Sequence, residues 1–180
     1  MKKISHKILT TLITIVLLSS CARITPKNHT LKDTLKDRNI SYIAEMKIAE
    51  NKALKYETHI SIVTYNRIVL LVGQTPSIKL RQEAVNIVRH IPNVKLIYNR
   101  ITIEAPSSML TRSSDSWITA KVGTEFIATS HLKSAKLKIV TESGVVYLMG
   151  LTSRPQARIA VNVTRHISGV LKVINLIQYT

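Results

Sequence analysis

VNIVRHIPNV runs from Val85 to Val94, and VNVTRHISGV runs from Val161 to Val170. Five of the first seven positions are identical: Val, Asn, Arg, His and Ile. A short chain that writes one segment twice has either duplicated a catalytic pair or duplicated a structural unit. The surroundings decide between these. IVLLVGQT (Ile68–Thr75) precedes the first copy and VVYLMGLT (Val145–Thr152) precedes the second. Before these lie two alternating segments, HISIVT (His59–Thr64) and KLKIVT (Lys136–Thr141). After them come VKLIYNRITI (Val94–Ile103) and VLKVINLIQY (Val170–Tyr179). The whole pattern is duplicated, not only the Arg-His pair.

Each segment can be read physically. The alternating, β-branched stretches at 59–64 and 136–141 are strands. The continuous apolar runs that follow suit a central strand covered on both faces. Tight turns join the two at Asn66-Arg67 and Ser143-Gly144. Residues 78–91 and 155–167 carry apolar residues at helical spacing, such as Ala84, Val88 and Ile91, and Pro155 sits where a first helical turn tolerates it. A strand, a helix and a strand then require a right-handed crossover and a parallel pair. A further helix leads each copy, Ser41–Leu54 and Ser116–Thr129. The expected class is therefore α+β, with two tandem αββαβ units. Each has a three-stranded mixed sheet packed against two helices.

Composition restricts the partner. The chain has 180 residues, 26 basic and 10 acidic, for a formal charge of +16. Such a balance favours an anionic partner. MKKISHK is a positive n-region, and Ile8–Leu18 is an apolar stretch too short to span a bilayer comfortably. It ends in LSSC, Leu18 to Cys21, which resembles a bacterial lipobox. That resemblance implies removal of residues 1–20 and lipidation of Cys21. Ala22 follows the cysteine, with no Asp there to hold the protein at the inner membrane, so the resemblance implies the outer membrane and its periplasmic face. Nucleic acid is then no partner. Cys21 is the sole cysteine, which excludes an internal disulfide and any cysteine-based metal site. Residues 21–37 read as a polar tether, 38–104 as the first domain, 105–112 as a linker and 113–180 as the second domain. The excess charge is spread over both domains, at 10 basic to 5 acidic and 8 to 3.

The LxG endings (Leu71-Val72-Gly73 and Leu148-Met149-Gly150), the helix after each, and the Ser168-Gly169-Val170 turn resemble the BON domain of bacterial envelope proteins. The resemblance covers nearly all of 38–180. Two such units behind a lipobox, with DSWITAKV (Asp115–Val122), YLMGLT and Tyr98-Asn99, resemble the DolP family of outer-membrane lipoproteins. It implies a non-enzymatic protein without cofactors that binds anionic phospholipid, supports outer-membrane integrity and can gather at division sites. It also implies that helix 116–129 meets the membrane, with the family's tryptophan at Trp117. Arg67 replaces the usual turn glycine and suggests a different turn in the first copy. Asn93 replaces a second glycine.

The chemistry of that helix can be read independently. Ile118, Val122 and Phe126 fall on one side and form its core stripe. Trp117 lies about 100° away, with Lys121 and Thr124 beside it. Ile127 points away from the core. Indole and a reaching lysine suit a headgroup layer. On the residues alone, Trp117 reads as a lid on the small core; the family resemblance moves it to the membrane. The membrane-binding set is then Trp117, Lys121, Thr124, Ile127 and Lys133, with Lys136 and Lys138 helping to steer. The rival is a scaffold that docks outer-membrane assembly or cell-wall regulator proteins. Catalysis by Arg-His needs an orienting carboxylate, and on this reading no acidic residue is shared at a matching place in both copies. No nucleophile elbow, zinc or phosphate-loop motif is present.

Overall fold

In the computed structural model, residues 29–132 and 136–180 are described; Cys21 and Lys133 lie outside them. The first unit contains α1 (Leu31–Glu50), α2 (Lys52–Glu57), β1 (His59–Tyr65), β2 (Ile68–Thr75), α3 (Ile78–Arg89) and β3 (Leu96–Ile103). The second contains α4 (Met109–Ala128), a short 3₁₀ turn (Ser130–Leu132), β4 (Lys136–Glu142), β5 (Val145–Thr152), α5 (Arg154–Arg165) and β6 (Lys172–Tyr179). In each sheet the long apolar strand is central. β2 pairs antiparallel with β1 and parallel with β3, and β5 does the same with β4 and β6. The crossover helix makes the parallel neighbour possible.

The central strands are buried on both faces because the two sheets pack against each other. Leu71 and Val69 face the helices of their own unit. Leu70 and Val72 face the other way, meeting Tyr147 and Met149 of the second sheet beside Tyr65. The layers run helix, sheet, sheet, helix. Polar bonds cross the seam: Gln74 Nε2 donates to Glu142 Oε1 at 2.8 Å, Asn66 Nδ2 to Gln178 Oε1 at 2.8 Å, and Lys138 Nζ to the Thr64 carbonyl at 2.7 Å. This covered face explains why β2 and β5 are apolar at nearly every position.

The leading helices begin earlier than the sequence suggests. α1 starts at Leu31, so residues 31–37, read as tether, form its first two turns. Thr30 caps it in a reciprocal box with Asp33. Residues 109–112, read as linker, are the first turn of α4, capped by Ser108. These turns bury no apolar stripe, because their anchor is polar. Asp37 is buried and accepts the amides of Asn66 and Arg67, both at 2.7 Å. Asp115 does the same for Ser143 and Gly144, both at 2.8 Å. A matching acidic residue therefore exists in both copies, and its work is structural. It also corrects the expectation for Arg67. The turn is the same in both copies, with positive φ at Asn66 (50°) and Arg67 (66°) and at Ser143 (48°) and Gly144 (74°). Two charge-assisted bonds to the turn amides offset the strain of a left-handed arginine.

The glycines ending LxG have a separate cause. A Cβ on Gly73 would lie 1.9 Å from the His59 carbonyl oxygen, and one on Gly150 would lie 2.5 Å from that of Lys136. Only glycine lets the outer strand approach so closely.

Candidate functional site

α4 buries one face and leaves the other bare. Ile118, Val122 and Phe126 are buried in the second unit's core, as their spacing predicts. Thr119 Oγ1 donates to Thr141 Oγ1 at 2.7 Å and ties the helix to β4. Trp117 is not a lid: 58% of its surface is exposed. Lys121, one turn further on, places its Nζ 3.4 Å from the centre of the indole ring. This contact holds the ammonium over the ring face and keeps both groups at the surface.

A groove of about 780 Å³ runs between α4 and α5. Trp117, Lys121 and Thr124 line one wall, while Asn162 and His166 line the other. Three of the five residues expected to bind membrane therefore converge. The Thr124 hydroxyl donates to the Ala120 carbonyl at 3.1 Å, so it offers the groove its lone pairs. Ile127 is 75% exposed but does not line the groove; it lies one turn past Thr124, about 4.5 Å along the helix axis. Of the steering lysines, Lys136 is exposed. Lys138 is exposed as well, but its ammonium reaches across the seam to the Thr64 carbonyl, and the partial burial there pushes it below the ordinary lysine value.

Two features escaped the sequence reading. Met109 and Leu110, at the start of α4, are 75% and 80% exposed and extend its apolar surface. The Ser108 cap was the available signal for including them. The second is the α5 wall, which only tertiary packing brings to Trp117.

The repeated Arg-His segment ends the crossover helix in each unit. His90 and His166 occupy C-cap positions, and each ring Nδ1 lies 2.8 Å from a carbonyl four residues earlier, Asn86 O and Asn162 O. The imidazole satisfies a carbonyl that the end of a helix leaves unpaired. Arg89 and Arg165 are exposed. Among the described residues no cluster of three potential metal ligands occurs, and no helix is long and apolar enough to cross a membrane.

Two αββαβ units packed sheet to sheet, with an aromatic-basic outer helix on the second, define a tandem α+β module. The BON domain model matches residues 37–105 and 114–180, and the chain belongs to that family. It is 28% identical to the outer membrane lipoprotein DolP of Haemophilus influenzae over 158 residues, 88% of this chain and 82% of the relative. It is 37% identical to a 21 kDa hemolysin of Actinobacillus pleuropneumoniae over 132 residues, 73% of this chain and 68% of the relative. Among solved structures, the C-terminal domain of CdsD, a structural protein of the Chlamydia trachomatis type III secretion system, is similar over 80% of this chain and 67% of its own, with a TM-score of 0.32 and 15% identity. The sequence relatives support a dual-BON, DolP-like outer-membrane lipoprotein.

Proposed function

We propose that the protein is anchored through lipidated Cys21 to the periplasmic face of the outer membrane and uses the bare face of α4 to bind anionic phospholipid. It supports outer-membrane integrity, including at division sites, and carries out no chemistry of its own. The observation that carries this reading is the exposed Trp117 with the Lys121 ammonium against its ring, on a helix whose opposite side is buried. An indole settles among headgroups, and an adjacent ammonium reaches phosphate. Each basic residue near an anionic surface contributes about 1 kcal/mol. That is weak alone, and acyl anchoring makes it sufficient by raising the local concentration.

Trp117 is the sole tryptophan, so its fluorescence reports the contact directly. Residues 22–180 mixed with phosphatidylglycerol vesicles should shift the emission to the blue and co-sediment, whereas neutral vesicles should do neither. An unshifted Trp117 in protein that nevertheless sediments would remove α4 from the binding face.

A second reading has its own support. Leu31, Leu35, Tyr42 and Met46 form an exposed stripe on α1, between 46% and 85% exposed. Such a stripe suits a scaffold for outer-membrane assembly or cell-wall regulator proteins. Co-purification of one partner from detergent extract, lost on changing Tyr42 and Met46 but not Trp117, would favour it.

A further inference from the structure

The duplicated fold supplies an internal control for the first domain. Two adjoining depressions between α3 and β3, of about 700 and 420 Å³, share Val85, Arg89 and Asn99. Lys79, Arg81, Arg89 and Lys95 line them. Glu83 is the one acidic residue there, and its carboxylate accepts from Asn51. Among the described residues, no carboxylate lies within ion-pair distance of any of the four cations. The second unit folds alike with its cations placed differently: Arg158 and Lys172 stand where the first unit has Gln82 and Leu96. In the same backbone register, Lys79 corresponds to Pro155, Arg81 to Ala157 and Lys95 to Leu171; only Arg89 has a basic counterpart, Arg165. Asn99 and Asn175 each accept from the backbone amide two residues on, which confirms the register. The fold therefore does not require cations at positions 79, 81 and 95.

We infer that this groove is a binding site for an elongated anion bearing several phosphate groups. Lys79 and Arg89 are separated by about 15 Å along the helix axis, so a single phosphate meets only one end. Four cations against one carboxylate match a row of negative charges. Arginine's planar fork pairs with phosphate oxygens in bidentate geometry, and a concave wall concentrates the field. The phosphates are carried either by a soluble polyanion or by clustered lipid headgroups. This site is separate from the α4 face and does not depend on what that face binds.

The test titrates residues 22–180, which retain every described residue, with a short linear polyphosphate and with inorganic phosphate at physiological salt. The variant is Arg81→Ala with Lys95→Leu, the residues the second unit carries at those places, and its fold is checked by circular dichroism. A second variant, Lys32→Ala, removes an exposed charge that lines neither groove. We expect polyphosphate to bind the parent and Lys32→Ala alike, inorganic phosphate to bind far more weakly, and the double variant to lose roughly tenfold or more. Equal binding by parent and double variant, or an equal loss with Lys32→Ala, would overturn the site in favour of diffuse attraction to a basic surface. Phosphatidylglycerol vesicles then separate the sources. If the double variant also loses vesicle binding, the phosphates belong to headgroups; if it keeps vesicle binding but loses polyphosphate, they belong to a soluble anion.

Discussion

Replacing Asp37 tests how the first hairpin is held. Its carboxylate accepts the amides of Asn66 and Arg67 at 2.7 Å each, and its Oδ2 also lies 2.9 Å from the His29 ring nitrogen. Hydrogen bonds to a charged group contribute about 1.5–3 kcal/mol each, so the two amide bonds have a ceiling of about 3–6 kcal/mol. Asn66 and Arg67 are half-buried, and water can reach the freed amides in part, which lowers the expected cost of Asp37→Ala to about 3 kcal/mol. For a chain of this size that corresponds to a melting-point drop of roughly 6–12 °C. Asp37→Asn separates charge from shape. Its one oxygen restores one amide, while its –NH₂ faces the other amide, donor against donor. It should therefore recover less than half of the loss. Urea unfolding followed by circular dichroism gives both values. A cost under about 0.5 kcal/mol for both variants would show that water serves the turn as well as the carboxylate does, and the account of Arg67 would fall with it.

Other consequences follow from the same geometry. Arg67→Gly should raise stability by about 0.5–1 kcal/mol in the same urea assay, since it removes left-handed strain at φ 66° and gives up only the Nε bond to Asn93 O. Gly73→Ala should cost more than about 3 kcal/mol or prevent folding, because its Cβ would overlap the His59 carbonyl; soluble expression and melting temperature decide. Trp117→Ala should weaken sedimentation with phosphatidylglycerol vesicles several-fold while leaving the melting temperature within a degree or two, as an exposed side chain requires. Burial holds the Tyr65 and Tyr147 hydroxyls above the ordinary tyrosine value. The folded state thus prefers them protonated, and stability present below pH 10 should be lost as pH rises through their folded values. Tyr147→Phe should flatten that alkaline loss in melting curves taken from pH 8 upward.

The strands, turns and crossover helices were legible because each obeys a local rule. β4 alternates, β5 is apolar throughout, and α5 opens with Ser153 as cap and Pro155 in its first turn. The starts of α1 and α4 were not legible, because their anchoring residues are buried aspartates, which hydrophobic spacing cannot flag. Asp37 and Asp115 stand three residues before Ile40 and Ile118, so aligning the copies on those isoleucines would have exposed the pair. At the candidate site, Trp117, Lys121 and Thr124 were readable from one helical wheel. Asn162 and His166 were not, since nothing local ties α5 to α4. Lys138 shows a different failure: it is exposed, as an alternating strand suggests, yet its ammonium is tied to a carbonyl of the other sheet, a contact with no local signal.

Duplication also separates structure from function within the chain. What the copies share is fold: the aspartate under each hairpin, the LxG glycine, the histidine cap and the asparagine that braces the last strand. Where they differ, the fold accepts either residue, so a difference that gathers charge or exposes an aromatic needs another cause. Two such differences stand out. The second unit places Trp117 and Lys121 on its outer helix where the first carries Asn39 and Ile43, in the alignment set by the paired aspartates. The first unit places Lys79, Arg81 and Lys95 in its α3–β3 groove, where the second carries Pro155, Ala157 and Leu171. The sheets pack face to face and leave both helical layers outside. The aromatic-basic helix and the cationic groove therefore lie on separate domains of one body, and each can meet an anionic surface or ligand without unpacking the seam. Substitutions in one should leave the other's binding unchanged within a factor of about two, since sites that share no partners behave additively.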